Sequence, residues 1–361
     1  MRTSLAAVQT DVRQIEMVRF PVPDHLEPGF GLLRVEASGM CGTDISQFHG
    51  HTRGLGMYDY PAVLGHEAVG YIAALTPEAR AAWGVEVGAR VAIEPAAFCA
   101  RCARCEGGRP SLCTARFVYG FRSTADAPSL WGAYSEYMLI HPGSRLHVVS
   151  PSVPIEEAAL FNAVAGGIDW TVHQSGLTAG EDVVLMGPGT RALAGIIGAR
   201  RAGARNIIVV GRGNPAKAEL AQFYGATHVL DSSKGDVAET VRAITGTGAD
   251  RIIDFTPTAV WTLEAAVDMA DKGATIVIVG LKNEPATVRL DKVTHKALTI
   301  KGTNGPGPDS YAQAVSLINS RSEEFAPLHT HSFALTEAER AIRTLAGELP
   351  SELALGITVT A

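Results

Sequence analysis

The length, composition and charge of the chain exclude several kinds of protein. At 361 residues it exceeds what one hydrophobic core usually organises, so we expect two domains. Hydrophobic residues make up 46% and charged residues 19%, and the net charge of −6 argues against a nucleic acid or an anionic membrane as partner. The sequence has no uninterrupted apolar run of about 18 residues and no signal-peptide core near its amino terminus, so we expect a cytoplasmic protein without a membrane span.

Residues 5–140 are predicted to be mostly β-strand. Short apolar runs alternate with polar residues and are separated by glycine and proline turns. This pattern favours a barrel-like β domain. Strands are predicted at Leu32–Ala37, Val69–Ala73, Ala89–Ile93 and Tyr134–Ile140.

Predicted strands and amphipathic helices alternate from Asp182 onward. Alternation of this kind indicates a doubly wound parallel sheet with helices on both faces, so the fold class is α/β. A helical pattern over Ile155–Thr171 leads into this region, and two helical patterns with a final strand follow Asp309. Strands are predicted at Val183–Met186, Asn206–Val210, Thr227–Leu230, Arg251–Phe255, Thr275–Val279, Leu298–Lys301 and Gly356–Thr360, and helices include Ala192–Ala202, Pro215–Tyr224 and Leu335–Leu345.

Cys41, His66 and Glu67 offer a thiol, an imidazole and a carboxylate, which are donors that zinc prefers. Nearby glycines allow the sharp bends that let distant donors converge on one point. Cys41 is the only cysteine outside a tight cluster further along, so a disulfide within the chain is not expected. The alternative is a buried cysteine and a His-Glu pair that bind no metal.

The other four cysteines follow the pattern C-x2-C-x2-C-x7-C. Four thiolates at this spacing can surround one tetrahedral zinc and leave no position open for chemistry. Two disulfides are the alternative, but the adjacent two-residue gaps and a reducing cytoplasm favour a shared metal. A structural zinc is therefore expected at Cys99, Cys102, Cys105 and Cys113.

A glycine-rich turn follows the strand predicted at Val183–Met186 and opens a helix. Its sequence, from Gly187 to Ala192, fits G-x-G-x-x-A in the strand-turn-helix context that binds pyrophosphate. The helix start adds unpaired N–H groups and the positive end of the helix dipole. The alternative is a tight turn without a ligand. The predicted cofactor-binding residues are Gly187, Gly189, Thr190 and Arg191, together with Gly280 and the two residues discussed next, Gly211 and Arg212.

The end of the second strand of this region decides which nicotinamide cofactor is bound. An NAD site uses an acidic residue about 20 residues beyond the glycines to bind the ribose hydroxyls. This chain has Gly211 and Arg212 there; the glycine leaves room for a 2′-phosphate, and the arginine can pair with it. NADP(H) is therefore favoured, with NAD(H) as the alternative. Arg212 could equally be a solvated loop residue.

The motifs Gly-x-Cys-Gly-Thr-Asp at Gly39–Asp44 and Gly-His-Glu-x-x-Gly at Gly65–Gly70 resemble those of the zinc-containing alcohol dehydrogenases of the medium-chain dehydrogenase/reductase family. The cysteine cluster and the glycine turn are similar to that family in order and spacing, over essentially the whole chain. The resemblance implies a GroES-like β-barrel catalytic domain at residues 1–166 and 303–361, with a structural zinc lobe at 95–116. It also implies a Rossmann domain at 167–302, an active site in the cleft between the domains, and a homodimer or homotetramer.

The resemblance further implies a role for each residue of the first motif pair. Cys41 and His66 would hold a catalytic zinc, and Glu67 binds it in some members. Asp44 would accept a hydrogen bond from the far nitrogen of His66, and Thr43 would take the proton of the alcohol. The reaction is then hydride transfer between a small-molecule alcohol or carbonyl and the nicotinamide.

Two departures from the family pattern leave other functions open. Some members have a cysteine as third ligand, where this chain has Ala165, and others have a glutamate, where it has Asn162. The expected ligand set is therefore Cys41, His66 and Glu67 with water, assisted by Asn162 or Asp169. The histidine that ends the family's proton relay is Ser46 here, and His49 or His51 are the candidates to replace it. The alternatives are a nucleotide-binding protein with a decayed metal site, and another reaction type such as aldehyde dismutation.

Overall fold

The computed structural model describes residues 2–51, 60–307 and 309–361. Its contacts divide the chain into two compact units: Met1–Asn162 with Tyr311–Ala361, and Ala163–Ser310. The units divide after residue 162 and before residue 311, and the divisions expected from the sequence were after residue 166 and before residue 303. No helix of the described ranges is long and apolar enough to cross a membrane.

The strands are numbered in chain order through both units. They are β1 (Thr3–Asp11), β2 (Gln14–Pro21), β3 (Gly31–Gly39), β4 (Ala62–Val63), β5 (Glu67–Leu75), β6 (Arg90–Ile93), β7 (Ala96–Ala97), β8 (Phe117–Val118), β9 (Tyr137–Ile140), β10 (Leu146–Val148), β11 (Asp182–Met186), β12 (Asn206–Gly211), β13 (His228–Asp231), β14 (Ala249–Asp254), β15 (Ala270–Ile278), β16 (Thr299–Gly302), β17 (His329–Ala334) and β18 (Gly356–Thr360).

The helices are numbered in the same way. They are α1 (Gly42–Phe48), α2 (Pro77–Trp83), α3 (Ala103–Glu106), α4 (Ile155–Ala158), α5 (Phe161–Ile168), α6 (Thr190–Ala202), α7 (Pro215–Tyr224), α8 (Val237–Thr245), α9 (Trp261–Met269), α10 (Leu290–His295), α11 (Ser310–Arg321) and α12 (Ala338–Leu345). Short 3₁₀ turns lie at Pro110–Leu112, Ser322–Glu324, Ala326–Leu328 and Leu335–Glu337, and a π turn lies at Asp169–Gln174.

The first unit is built mainly from antiparallel strands. Its larger sheet has the order β10-β6-β5-β3-β18-β17, with β9 also paired to β3, and a smaller sheet has the order β2-β1-β4. The carboxyl-terminal strand β18 pairs antiparallel with β3, so the end of the chain completes this unit. Apolar side chains on the two faces of the sheet form its cores, and Leu33, Ile72 and Val91 are fully buried in one of them.

The second unit is a six-stranded parallel sheet in the order β13-β12-β11-β14-β15-β16. With β11 as the first strand, this is the 3-2-1-4-5-6 order of a Rossmann fold. A helix, α6 to α10, connects each pair of strands that follow each other in the chain. Val184, Ile208, Ile252 and Ile276, one from each central strand, are fully buried together. The predicted doubly wound sheet is confirmed.

Several predicted elements were wrong in extent; among them, the strand expected at Thr275–Val279 extends over Ala270–Ile278, and the helix expected at Leu335–Leu345 begins at Ala338. The helix expected over Ile155–Thr171 is divided into α4, α5 and the π turn. At the end of that turn Leu177 N donates to Val172 O over 3.0 Å, a backbone bond between residues five apart, which is the π spacing. The strand expected from Tyr134 begins at Tyr137, because Tyr134 N donates instead to Leu64 O, at 2.8 Å, in the loop before His66.

Candidate functional site

Strand register brings the first motif pair together. In the antiparallel pair of β3 and β5, Gly39 lies opposite Glu67. Cys41 follows the end of β3 by two residues and His66 precedes the start of β5, so both reach the same end of the sheet. The pairing of β3 with β5 therefore brings Cys41 close to His66 and Glu67, although Cys41 lies far from these two residues in the sequence.

Cys41 and Asp44 are fixed by the start of α1. Cys41 is the N-cap residue, and its Sγ accepts a hydrogen bond from Thr43 N at 3.3 Å. Asp44 Oδ2 accepts from Cys41 N at 2.7 Å, which completes a capping box. Thr43 Oγ1 lies 3.1 Å from Cys41 Sγ and the side chain is half-buried. The predicted proton acceptor therefore lies directly beside the thiol.

His66 follows a glycine in the left-handed region, Gly65 with φ of 84°. A Cβ at Gly65 would lie 2.4 Å from Tyr134 Cδ1 and 2.8 Å from Tyr134 N, so only glycine fits. The Tyr134 hydroxyl in turn donates to Asp44 Oδ2 over 3.4 Å, and burial first, then Asp44, raises the pKa of Tyr134 well above its usual value. The loop before His66 is thus packed against Tyr134, whose hydroxyl reaches the carboxylate that faces the imidazole.

Gly65→Ala is expected to destabilise the protein by about 1–3 kcal/mol through the forced contact, in addition to about 1–2 kcal/mol for the left-handed backbone. Gly88→Ala is the matched control, because Gly88 has φ of 87° but no atom within 4 Å of the added Cβ. The control retains only the backbone cost. Chemical denaturation of both variants measures the difference; equal losses would contradict the packing argument.

The three donors form a compact buried group. One ligand atom from each of Cys41, His66 and Glu67 lies within 4.8 Å of the other two. His66 Nδ1 is 3.3 Å from Asp44 Oδ1, and its Nε2 is 4.0 Å from Glu67 Oε1. Nδ1 and Oδ1 are both buried and are close without hydrogen-bond alignment, so small ring rotation would join them. The other ring nitrogen, Nε2, then lies on the side of the Glu67 carboxylate.

Charge at this group favours a cation. Burial acts to lower the pKa of His66, but Asp44 and Cys41 outweigh it and raise the pKa well above its usual value in the metal-free chain. A buried thiol, carboxylate and second carboxylate around one imidazole give an excess of potential negative charge. Zinc would neutralise that charge and displace the imidazole proton. The donor set and its spacing fit a zinc ion with a fourth position left open.

The residues considered as assisting ligands have other partners. Asn162 Nδ2 donates to Glu67 Oε1 over 2.5 Å, and Asn162 Oδ1 accepts from the Tyr311 hydroxyl at 2.9 Å. Asp169 belongs to the second unit, where it accepts from Gly307 N at 3.0 Å and from Ser310 Oγ at 2.6 Å. Ala165 is buried in α5. Asp169 does not belong to the group formed by Cys41, His66 and Glu67, whereas Asn162 contacts that group through Glu67.

The histidines proposed to replace the relay residue lie at the end of α1. His49 Nε2 is 2.7 Å from Glu348 Oε1, and Arg13 donates to both oxygens of the same carboxylate. The Arg13 hydrogen bond, followed by that of His49, holds the pKa of Glu348 at about 2. The His51 ring lies 5.6 Å from the His49 ring. The role of either histidine in proton transfer stays a prediction.

The four clustered cysteines converge as the spacing predicted. The Sγ–Sγ distances are 3.6 Å for Cys102–Cys105, 4.0 Å for Cys102–Cys113 and 3.4 Å for Cys99–Cys113. A zinc ion with Zn–S bonds of about 2.3 Å gives a tetrahedral edge of about 3.8 Å, whereas a disulfide needs about 2.0 Å. Backbone N–H groups of Thr114 and Cys105 lower the pKa of Cys102 to about 5. The cluster fits a zinc and not a pair of disulfides.

The glycine turn of the second unit joins β11 to α6 as predicted. Gly187 has φ of 84° and donates to Val210 O at 2.9 Å, which closes the turn against β12. Gly189 is the N-cap residue of α6, without a side-chain cap, and an added Cβ there would meet no atom within 4 Å. Thr190 and Arg191 follow in the first turn, both half-buried. Open space before uncapped helix N–H groups fits a pyrophosphate.

Gly280 has a structural reason to be glycine. A Cβ there would lie 2.1 Å from Thr256 O, and one at Gly187 would lie 2.7 Å from Thr256 Cγ2. Both glycines therefore let the loops after β11, β14 and β15 pack together at the carboxyl ends of the strands. That edge is where a Rossmann fold binds its nucleotide, so Gly280 shapes the site, and its contact with a cofactor stays a prediction.

The second strand of this sheet ends at Gly211, and its neighbourhood contains an acid that sequence analysis missed. Gly211 pairs with Asp231 at the end of β13. A Cβ at Gly213 would lie 2.5 Å from Asp231 Oδ2, so this carboxylate lies against the loop that holds the exposed Arg212. Hydrogen bonds from Ser233 first, and then the charge of Lys234, lower the pKa of Asp231. The acid absent from β12 is thus present on the adjacent strand.

Tyr311 was also missed, and no local pattern would have indicated it. It lies 149 positions from Asn162 in the sequence, in the segment that returns to the first unit. Asp231 could have been found, because the predicted third strand ended one residue before it. Its proximity to Gly213 depends on parallel pairing of β12 with β13, which the order of elements alone does not fix.

The chain matches two protein-family models, the alcohol dehydrogenase GroES-like domain over residues 27–151 and the zinc-binding dehydrogenase domain over residues 192–320. It is 35% identical over 346 residues to the "Probable alcohol dehydrogenase" of Mycobacterium tuberculosis, covering 93% of this chain and 91% of that protein. It is 32% identical over 287 residues to sorbitol dehydrogenase of Bacillus subtilis, covering 77% and 75%. A structure from Sinorhizobium meliloti, described as a zinc-binding dehydrogenase bound to NADP, is similar with a TM-score of 0.85 and 26% identity over the full length of both chains.

Proposed function

The chain belongs to the zinc-containing alcohol dehydrogenases of the medium-chain dehydrogenase/reductase family, and we propose that it transfers hydride between a small alcohol and NADP(H) at a zinc held by Cys41, His66 and Glu67. The combination of a GroES-like domain with a Rossmann domain and the assignment as an alcohol-oxidising oxidoreductase are confirmed. The observation that carries the proposed site is the buried group of three donors whose ligand atoms lie within 4.8 Å.

Zinc at this group would act as a Lewis acid on the substrate oxygen, and the nicotinamide would accept or donate the hydride. The protein's own residues do the positioning. Asp44 faces Nδ1 of His66 and thereby directs Nε2 toward the donor group. Thr43 is half-buried beside Cys41 and would take the proton that leaves the alcohol.

Zinc content separates this proposal from a decayed site. We expect two zinc ions per chain, one at the three-donor group and one at the four cysteines, as measured by elemental analysis of the purified protein. Cys41→Ala should retain one. A parent protein that holds a single zinc, still present in Cys41→Ala, would favour a nucleotide-binding protein without catalysis.

The substrate class can be read only from relatives, among them the sorbitol dehydrogenase and an erythritol/L-threitol dehydrogenase that is 29% identical. We propose an alcohol or polyol, tested with primary, secondary and polyhydric alcohols and their carbonyl products. Formation of acid and alcohol from an aldehyde, with no net change in the cofactor, would instead indicate dismutation. Cytoplasmic location and assembly as a homodimer or homotetramer stay predictions from the sequence.

Gly211→Asp is expected to lower kcat/KM for NADP(H) and to improve it for NAD(H). A carboxylate there repels the 2′-phosphate, and like charges a few ångströms apart at a protein surface repel by about 1–4 kcal/mol, so the loss should be about fivefold or more. An added Cβ would also lie 3.1 Å from Pro188 Cγ, so the side chain itself disturbs the turn. Steady-state kinetics with both cofactors measure the change.

Gly211→Asn is the control, because it has nearly the same shape without the charge. The ratio of kcat/KM values between Gly211→Asp and Gly211→Asn separates the effect of charge repulsion from that of steric crowding. Asp231→Asn tests the neighbouring acid: it should strengthen NADP(H) use if the 2′-phosphate lies near Arg212. A parent enzyme that prefers NAD(H), and loses that preference in Asp231→Asn, would show that β13 supplies the ribose-binding acid and that the NADP(H) proposal is wrong.

A further inference from the structure

A buried chain of hydrogen bonds ends on the carboxylate of the three-donor group. The Tyr311 hydroxyl donates to Asn162 Oδ1 at 2.9 Å, and Asn162 Nδ2 donates to Glu67 Oε1 at 2.5 Å. The three residues are 7%, 5% and 2% exposed. We infer that Asn162 and Tyr311 are positioning residues that hold Glu67 in its metal-binding orientation, and that Asn162 is not itself a ligand. This inference rests on the proposed function.

Hydrogen-bonding chemistry fixes the orientation of the Asn162 amide. An ionised carboxylate only accepts hydrogen bonds, so the NH₂ group must face Glu67. The carbonyl oxygen then faces Tyr311, whose hydroxyl can donate to it. A flipped amide would place the Asn162 oxygen against the Glu67 carboxylate, two acceptors, and would lose that bond, although the Tyr311 hydroxyl could still accept from the NH₂ group. The amide oxygen, the only atom of Asn162 suited to bind zinc, is thus engaged by Tyr311.

The carboxylate is confined from its other side by Gly39. A Cβ at Gly39 would lie 2.6 Å from Glu67 Oε2 and 2.5 Å from Ala159 O. The second carboxylate oxygen therefore lies against the β3 backbone, in space that only glycine leaves open. With Oε2 confined there and Oε1 held by Asn162, Oε1 is the oxygen that lies 4.0 Å from His66 Nε2. One ligand geometry is selected in advance of metal binding.

The ring of Tyr311 is held by neighbours of the same unit. It lies 6.1 Å from the Phe161 ring and 6.3 Å from the His147 ring, nearly parallel to the latter at 23°. His147 Nε2 is in turn 3.0 Å from Glu94 Oε1. These contacts involve the ring and not the hydroxyl, so Tyr311→Phe should retain the packing and delete the hydrogen bond to Asn162.

The test compares Tyr311→Phe with Tyr119→Phe. Tyr119 is also buried in the same unit, where its hydroxyl lies 2.6 Å from Ser144 Oγ and accepts from His141 N at 2.8 Å, so the loss of this hydroxyl is a matched control. Zinc release to a colorimetric chelator is followed in each protein, and the catalytic phase is the one that Cys41→Ala abolishes. Outer partners of metal ligands typically affect metal affinity by about 10–100-fold. We expect Tyr311→Phe to accelerate the catalytic phase by about tenfold, with the structural phase unchanged.

A spectroscopic readout separates positioning from general loosening. With cobalt(II) in place of the catalytic zinc, Tyr311→Phe should shift the visible ligand-field bands, because the Glu67 oxygen moves relative to the metal. Tyr119→Phe should lower the melting temperature but alter neither the cobalt spectrum nor zinc release. Parent-like release and spectrum in Tyr311→Phe, with two zinc ions in the parent, would overturn this inference alone. A parent that binds only the four-cysteine zinc would overturn the proposed function as well.

Discussion

Glu67→Gln is expected to lower the content of catalytic zinc and the turnover together. The loss of turnover should exceed the roughly 10–100-fold that loss of an outer partner of a metal ligand costs. Its carboxylate is buried beside Cys41 and His66, and a neutral amide is a weaker donor for zinc than a carboxylate. Elemental analysis and steady-state kinetics on the same preparation measure both effects. The four-cysteine zinc serves as the internal reference for metal content.

Asn162→Ala provides the comparison for that experiment. It should cost less than Glu67→Gln, because Asn162 acts on the metal through the hydrogen bond to Glu67. Retention of full catalytic zinc in Glu67→Gln, together with its loss in Asn162→Ala, would identify the amide oxygen as the ligand. The carboxylate would then be an outer partner, and the assignment of Glu67 would be wrong.

The zinc-loaded Glu67→Gln enzyme should also oxidise alcohol at lower pH than the parent. Removal of one negative charge leaves the site more positive, and a more positive site lowers the pKa of a bound alcohol. The pH at which kcat/KM for the alcohol reaches half its maximum should therefore fall. An unchanged profile in a variant that is fully loaded with zinc would place the carboxylate too far from the substrate oxygen to affect it.

Cys102→Ser is expected to remove one zinc and to destabilise the chain strongly. Loss of a structural metal belongs to the changes that cost more than about 4 kcal/mol. For a chain of 361 residues an unfolding entropy of about 2.1 cal/mol/K per residue gives about 1.3 °C per kcal/mol, so the melting temperature should fall by about 5 °C or more. The molecules that remain folded should keep the catalytic zinc and turn over, because four thiolates leave no position for a substrate.

Cys41→Ser is the reciprocal variant, with one thiol removed from the other metal group. It should lose the catalytic zinc and turnover and keep the four-cysteine zinc with most of the stability. Differential scanning calorimetry with metal analysis distinguishes the two patterns. If Cys102→Ser melted at the temperature of the parent and kept two zinc ions, the assignment of a structural zinc would be wrong.

Helix boundaries that are set by adjacent residues were predicted well from the sequence. The helix Pro215–Tyr224 was predicted with the observed bounds, because its start and end signals are adjacent residues. Asn214 accepts a hydrogen bond from Lys217 N, proline occupies the first turn, and Gly225 ends the helix in the left-handed region. The final strand Gly356–Thr360 was also predicted at its observed bounds. The helix boundaries needed no partner from a distant part of the chain, whereas the final strand pairs with β3.

Boundaries that depend on distant partners were predicted less well. The Tyr134 amide binds Leu64 O, so the strand starts later than its apolar pattern indicates. The π turn that ends α5 includes Asp169, whose carboxylate is bound by Gly307 and Ser310, about 140 residues further along. In both cases the hydrogen-bond partner lies outside the segment whose sequence pattern predicted the element.

The sequence by itself determined the donor types at Cys41, His66 and Glu67, the four-cysteine spacing and the glycine turn, because each depends on residue identity within a short segment. Only the tertiary structure decided how those groups are arranged. The pairing of Gly39 with Glu67 brings the donors to one end of a sheet, and Tyr311 reaches Asn162 from 149 positions away. Buried polar groups must find partners wherever the fold brings donors and acceptors within reach, and that choice is not encoded in any local pattern.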